Sequence, residues 1–240
     1  MKILLPVFLC GLFASVSATA AAPATVQPFR ADYAAFRNGS ELGRTTLELS
    51  DNRDGSWTLR SETKGTSGLA RLAGIHIVET SRFRWQDGRP VALAYDYRQD
   101  GAFKQRTREA RFDWTANEVL VREDGEHRYA AVPDLIDRQS VTLALAADLI
   151  RGATQFDYKV AVMDRIEEMH YVRGPAESLA VPAGRYETVL MKRESSGKDN
   201  RRRVARSWFA ESLGWLPVQI EQVDGKGDTV TLKLLSPPKK

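Results

Sequence analysis

The sequence predicts a mainly β protein: one long, curved antiparallel sheet, open or spiral and barrel-like, wrapped around a single buried central α-helix. Three observations predict it. Apolar residues recur with a period of two through most of the chain, the mark of strands with one dry and one wet face. Six turn dipeptides punctuate those runs: Asn38-Gly39, Asp54-Gly55, Asp87-Gly88, Asp100-Gly101, Asp124-Gly125 and Asp224-Gly225. Each supplies a residue able to take positive φ, which tight hairpins demand. One segment alone, Asp137 to Arg151, abandons the alternation and is apolar nearly all round.

At the N-terminus, Lys2 precedes an almost wholly apolar run from Ile3 to Val16, and Ala18-Thr19-Ala20 has the small-x-small pattern of a signal peptidase site. Residues 1–20 therefore read as a signal peptide cut after Ala20. A cut after Ala22 would set Pro23 beside the scissile bond. The run is shorter than the ~20 residues that a bilayer-spanning helix needs, and no later stretch reaches that length. Cys10, the only cysteine, lies within this run behind Leu9, too early and with too large a neighbour for a lipid anchor. The mature chain is then free of thiols, which excludes disulfides, thiolate nucleophiles and cysteine metal sites. Residues 21–28, rich in Ala, Pro and Thr, read as a flexible leader.

A single β-rich domain over residues 29–236 follows. Thr45, Leu47 and Leu49 face one way and Thr46, Glu48 and Ser50 the other. Ile75, Ile77, Phe83 and Trp85 share a face, as do Val91, Leu93, Tyr95 and Tyr97. Later come Leu216, Val218 and Ile220, then Val230, Leu232 and Leu234. The rule gives about 12 to 14 strands. Between Gly65 and Gly74, Leu69 and Leu72 stand at helical spacing; a packed crossover capping one sheet end is the expected form, a helical turn or flap the alternative. The helix of residues 137–151, capped by Asp137 or Ser140 and stopped by Gly152, must be buried on nearly every side. The concavity of the bent sheet is the place for it.

The C-terminal third carries a further pattern. Val181-Pro182-Ala183-Gly184-Arg185-Tyr186-Glu187-Thr188 is followed by Ser207-Trp208-Phe209 and then by Gly214-Trp215-Leu216-Pro217-Val218. With Asp137 and Ser140 opening the helix, this resembles the exported bacterial family called domain of unknown function 3108. The resemblance implies export and a curved β architecture, and a fold similar to the periplasmic lipoprotein-localisation carriers, in which an open barrel covered by helices shelters acyl chains. The family has no assigned catalytic or ligand residues, so none is carried over. Pro182 and Gly184 also explain themselves as a turn, and Trp208 and Phe209 should point to opposite faces, one of them into the core.

No catalytic, cofactor or metal site is expected. His76, His127 and His170 are far apart in sequence, and Glu167, Glu168 and His170 read as a solvated strand rather than a ligand set. No serine occupies a Gly-x-Ser-x-Gly elbow. Glu79 shares the inward face of Ile77 and Phe83, which makes it a cavity acid or the buried partner of an arginine such as Arg111. Lys192, Arg193, Lys198, Arg201, Arg202, Arg203 and Arg206 crowd one hairpin tipped by Ser195, Ser196 and Gly197. Arg201, Arg202 and Arg203 are the candidate contact with an anionic envelope surface; charges that deter sheet-edge association are the other reading.

A formal net charge of +4 suits lipid, lipoprotein or lipopolysaccharide partners in the periplasm, where nucleic acid is not expected. The function these features support is a non-enzymatic periplasmic protein binding an apolar or lipid-like ligand on the concave face. An envelope-integrity scaffold without a small-molecule ligand is the alternative. A hydrolase has no motif behind it.

Overall fold

The computed structural model describes residues 26–102, 105–196 and 201–239. The expected signal peptide, with Cys10, and residues 21–25 of the expected leader lie outside the described residues, as do Gly197 and Lys198 of the basic hairpin. The elements run β1 (Phe29–Arg37), β2 (Ser40–Asp51), β3 (Trp57–Gly65), α1 (Gly68–Leu72), β4 (His76–Gln86), β5 (Arg89–Asp100), β6 (Arg106–Asp113), β7 (Glu118–Arg122), β8 (Glu126–Ala130) and β9 (Leu135–Ile136). Then come α2 (Val141–Ile150), β10 (Asp157–Ala161), β11 (Ile166–His170), β12 (Val172–Val181), β13 (Gly184–Ser196), β14 (Arg202–Ala210), β15 (Leu216–Val223) and β16 (Thr229–Leu234), with a 3-10 turn at Glu211–Leu213.

Thirteen strands form one antiparallel sheet in the order β12-β13-β14-β15-β16-β1-β2-β3-β4-β5-β6-β7-β8. Its middle joins the first and last strands, with Tyr33 opposite Leu234 and Arg37 opposite Val230. Its edges, β8 and β12, come from mid-sequence. The second sheet, β11-β10-β9, belongs to the stretch of chain between those edges. Tyr129 of β8 donates to the Val162 carbonyl at 2.7 Å, and Arg193 of β13 pairs with Glu167 of β11. The small sheet thus spans a seam that backbone hydrogen bonds do not close, which makes the molecule barrel-like but open.

The turn dipeptides explain the hairpins. Asn38 and Gly39 take φ of 49° and 79°, and Asp87 and Gly88 take 51° and 72°, so these two-residue turns twist with their strands. Five of the six dipeptides lie in connections between successive strands of the large sheet, and Asp100-Gly101 straddles the end of β5. Asp224-Gly225 differs in detail: the turn is longer, Asp224 accepts from the Lys226 amide at 2.7 Å, and Gly227 takes the positive φ.

The buried helix is present, and α2 packs with Tyr33, Leu49, Leu59, Phe83, Met191 and Phe209 in one core. It begins at Val141, later than expected, because residues 137–140 form a turn organised by Asp137. Burial of a side chain such as Phe83 contributes about 1.5–3 kcal/mol, and this core supplies the stability that disulfides do not.

Several local expectations are revised. Sixteen strands are found among the described residues, thirteen in the large sheet and three short ones, β9, β10 and β11, in the small sheet. A bulge between β4 and β5 sets Arg82 opposite Ala94 but Phe83 opposite Ala92, so Ala92 is fully buried while Leu93 is half-buried. Trp208 and Phe209 are both buried; a bulge falls between them, and the Trp208 indole donates to Glu177 at 2.6 Å. The expected packed crossover is instead α1, whose Leu69 and Leu72 are each 82% exposed. Ala70 is the residue that packs, close against Gly65. Val26, assigned to the flexible leader, is buried in the main core, and Arg30 exchanges two 2.8 Å backbone hydrogen bonds with Lys239, beyond the expected domain limit.

Candidate functional site

Strand register determines what lines the barrel. Directly opposed residues share a face, so Leu49, Leu59, Ser81, Tyr95, Ala110 and Val121 form one inward row across six strands. The next row but one towards the other end holds Thr45, Thr63, Ile77, Gln99 and Arg106, with Ser61, Glu79, Tyr97 and Arg108 between the two. The interior therefore grades from apolar to charged. α2 fills the apolar part.

Asp137 fastens α2 at the boundary. It accepts from Ser81 Oγ at 2.6 Å, from the Gln139 and Ser140 amides at 2.9 and 3.0 Å, and from Ser140 Oγ at 2.7 Å. Both expected capping residues are used, but Ser140 turns its hydroxyl back to Asp137 rather than onto the helix amides.

Glu79 does point inward, yet Arg111 is not its partner. Arg111 lies opposite Ala94 on the outer face and bonds Asp96 at 2.6 Å. Glu79 accepts instead from the Tyr95 hydroxyl at 2.6 Å. Burial pushes its carboxyl above the usual range; the Tyr95 hydrogen bond opposes this and the Asp137 charge reinforces it. The residue as a whole keeps some exposed surface, while its carboxyl is enclosed by protein.

Beyond Glu79, Arg106 and Arg108 both pair with the buried Glu123. Burial pushes the Glu123 carboxyl up, but the two guanidiniums outweigh it and hold it below the usual carboxylate range. Arg108 also stands 5.8 Å from the centre of the Tyr97 ring. These arginines open onto a cavity of about 870 Å³ at the seam, with Arg138, Arg165 and Arg203 on its other walls. Five arginines face three carboxylates there, the others being Asp164 and Glu167.

The three arginines singled out in the sequence do not act as one patch. Arg203 opposes Ser195 and lines the cavity, whereas Arg202 opposes Ser196 on the outer face and bonds Glu194 at 2.6 Å. Arg201 precedes β14 and lies beside Gly225. Arg106, Arg108 and Arg138 escaped the sequence reading. The first two stand at alternate positions with the buried Ala110 and Phe112, a parity that marks them as inward once β6 is taken as a strand.

The histidines stay apart. His76 bonds Glu62 at 2.9 Å, His170 bonds Asp157 at 2.6 Å, and the buried His127 Nε2 has no partner among the described residues. Glu168 and His170 are exposed on β11, while Glu167 turns to Arg193.

A second recess, about 320 Å³, runs along the flank of α2. Thr142, Ala146 and Ile150 form one wall at helical spacing, and Leu213, Trp215 and Pro237 stand across from them. Trp215 takes φ of 61° after Gly214 at 69°, the paired left-handed residues that carry the chain out of the 3-10 turn.

A family model described as protein of unknown function (DUF3108) matches residues 28–234, nearly all the strands above. The chain belongs to that family. The fold is also similar to that of a crystal structure of a beta-barrel-like protein of domain of unknown function DUF1849 from Brucella abortus. The TM-score is 0.57 and the identity 11%, over 90% of this chain and 99% of that one. No curated protein matches.

Proposed function

We propose that this chain is an exported, non-enzymatic protein of the bacterial periplasm that takes an apolar, chain-like group of a lipid or lipoprotein into the recess beside α2. The observation that carries the reading is the recess itself: about 320 Å³, within the ~300–1,000 Å³ of small-molecule sites, and walled mainly by apolar side chains. α2 packs in one core with the inward residues of the sheet, so the ligand lies along the flank of the helix at Thr142, Ala146 and Ile150 rather than on the bare sheet. The resemblance to lipoprotein-localisation carriers and the signal-like residues 1–20 support the same reading.

Organic extraction of protein purified from envelope fractions, followed by mass spectrometry, tests it. A copurifying lipid is expected for the wild type and should be lost in Thr142→Trp, which fills the recess from a half-buried position. A clean wild-type extract, together with no uptake of a fluorescent fatty acid, would refute the carrier reading. Export is tested separately by sequencing the mature N-terminus, expected at Ala21. The non-enzymatic part fails if ester, glycoside or peptide substrates are turned over.

The thorough burial of α2 favours a second reading, an envelope scaffold with a filled interior. It is distinguished by crosslinking in cells, which then recovers a protein partner while the extract stays empty.

A further inference from the structure

We propose that the arginine-walled cavity at the seam is a binding site for a phosphate-bearing ligand, separate from the apolar recess and not dependent on the reading given to it.

The argument begins with charge. Arg106, Arg108, Arg138, Arg165 and Arg203 line the cavity against Glu123, Asp164 and Glu167, so the walls carry an excess of positive charge. Five guanidiniums around one cavity repel each other, and a fold gains nothing from gathering them unless an anion offsets that repulsion. Glu123 is one such anion, but it is buried and committed to Arg106 and Arg108 together. Its effect is positional. Holding both guanidiniums by a shared carboxylate fixes their planes at the wall of the cavity that both residues line. Glu167 is likewise committed, to Arg193 from the wall behind.

Arg138 differs from these. It is exposed, lines the cavity, and forms no hydrogen bond or ion pair among the described residues. Its backbone is nevertheless fixed, because it sits in the turn that Asp137 organises beneath α2. A guanidinium on a rigid turn whose charge reaches Glu79 but whose N–H groups have no hydrogen-bond partner among the described residues, on one cavity with two oriented guanidiniums, is the arrangement that recognises a tetrahedral oxyanion by several charge-assisted hydrogen bonds. Ser195, opposite Arg203 on the inward face, adds a hydroxyl donor. The cavity, at about 870 Å³, has room for a phosphate with a substituent, such as a glycerol or sugar.

The test uses the full mature chain, with glycerol phosphate and phosphatidylglycerol vesicles in phosphatidylcholine as probes. Saturable one-to-one binding of at least one probe is expected by calorimetry or co-flotation. Arg138→Gln should weaken it about tenfold, the worth of one charge-assisted hydrogen bond. Arg185→Gln, at an exposed position on β13 away from the cavity, should not. Thermal unfolding of each variant confirms that it is folded. Binding of glycerol phosphate without vesicles identifies a soluble phosphate ester, and competition between the two identifies a lipid headgroup; both support the site. Absence of saturable binding by either probe, or equal binding by wild type and Arg138→Gln, overturns it.

Discussion

Asp137→Ala removes the acceptor that holds α2 against the barrel wall. Four hydrogen bonds end on this carboxylate, at 2.6, 2.7, 2.9 and 3.0 Å. They are not equal once it is gone. Ser81 Oγ retains Gln139 Oε1 at 2.9 Å, and the half-buried Gln139 amide can turn to water. The Ser140 amide and hydroxyl have no such recourse, since Ser140 is fully buried. Leaving a buried donor unsatisfied costs about 1–3 kcal/mol, so the two together give a destabilisation of about 2–6 kcal/mol. Asp137→Asn keeps an acceptor for three of the bonds and offers its amide to the Ser140 hydroxyl, so its cost should stay near ~1 kcal/mol. Urea unfolding followed by tryptophan fluorescence reads both, with the slope against denaturant expected to be unchanged. If Asp137→Ala falls within ~0.5 kcal/mol of wild type, the carboxylate is not what anchors α2 and the reasoning fails.

Three further outcomes are expected. Because the Glu79 carboxyl is raised above its ordinary range, its contribution to stability is complete below that range and is lost as pH rises through the raised value. Glu79→Gln should flatten that decline in an unfolding series from about pH 4 to about pH 8, and an unchanged slope would count against a buried acid. A Cβ at Gly43 would lie 1.9 Å from the Lys64 carbonyl oxygen, so Gly43→Ala should destabilise the β2–β3 pairing by about 1–3 kcal/mol; an unaltered urea midpoint would show that the strands part more readily than they appear packed. Leu69→Ser with Leu72→Ser should leave stability within ~0.5 kcal/mol, since both side chains stand in solvent, and a larger thermal shift would mean that α1 is covered in solution.

The main architecture was legible because it rests on local chemistry. A turn residue at positive φ and a period of two need only their neighbours, and an all-apolar segment such as residues 141–150 has one place to go in a protein of one-sided sheet. The small sheet was not legible. β9 is two residues long, and although Glu167 to His170 read as a strand, nothing in the sequence says that β11 pairs with β10 or that β10 pairs with β9 in parallel. The charged cavity was hidden for a related reason. Arg106, Arg138 and Arg203 come from distant parts of the chain, and only the curl of the sheet brings them round one space. Sequence alone offers Arg111 as one arginine for Glu79, whereas parity places Arg108 on the inward face with Tyr97, a distinction that needs the register of two strand pairs. In the basic hairpin, a run of adjacent arginines hid the fact that strand geometry sends Arg202 and Arg203 to opposite sides.

The pairing of β1 with β16 has a consequence for how the protein acquires its structure. The centre of the large sheet is a contact between residues about two hundred positions apart, such as Tyr33 and Leu234, while its outer hairpins are local. Hairpins on either side can zip early, but the two arcs cannot join into one sheet until β16 is available to β1. A chain whose last strand is not yet available would present half-sheets with an unpaired edge at β1, the hazard that favours misassociation. Shielding of β1 until the last strand arrives should therefore limit the yield of folded protein, and joining the two strands through a short linker, with new termini opened at the seam, should speed folding.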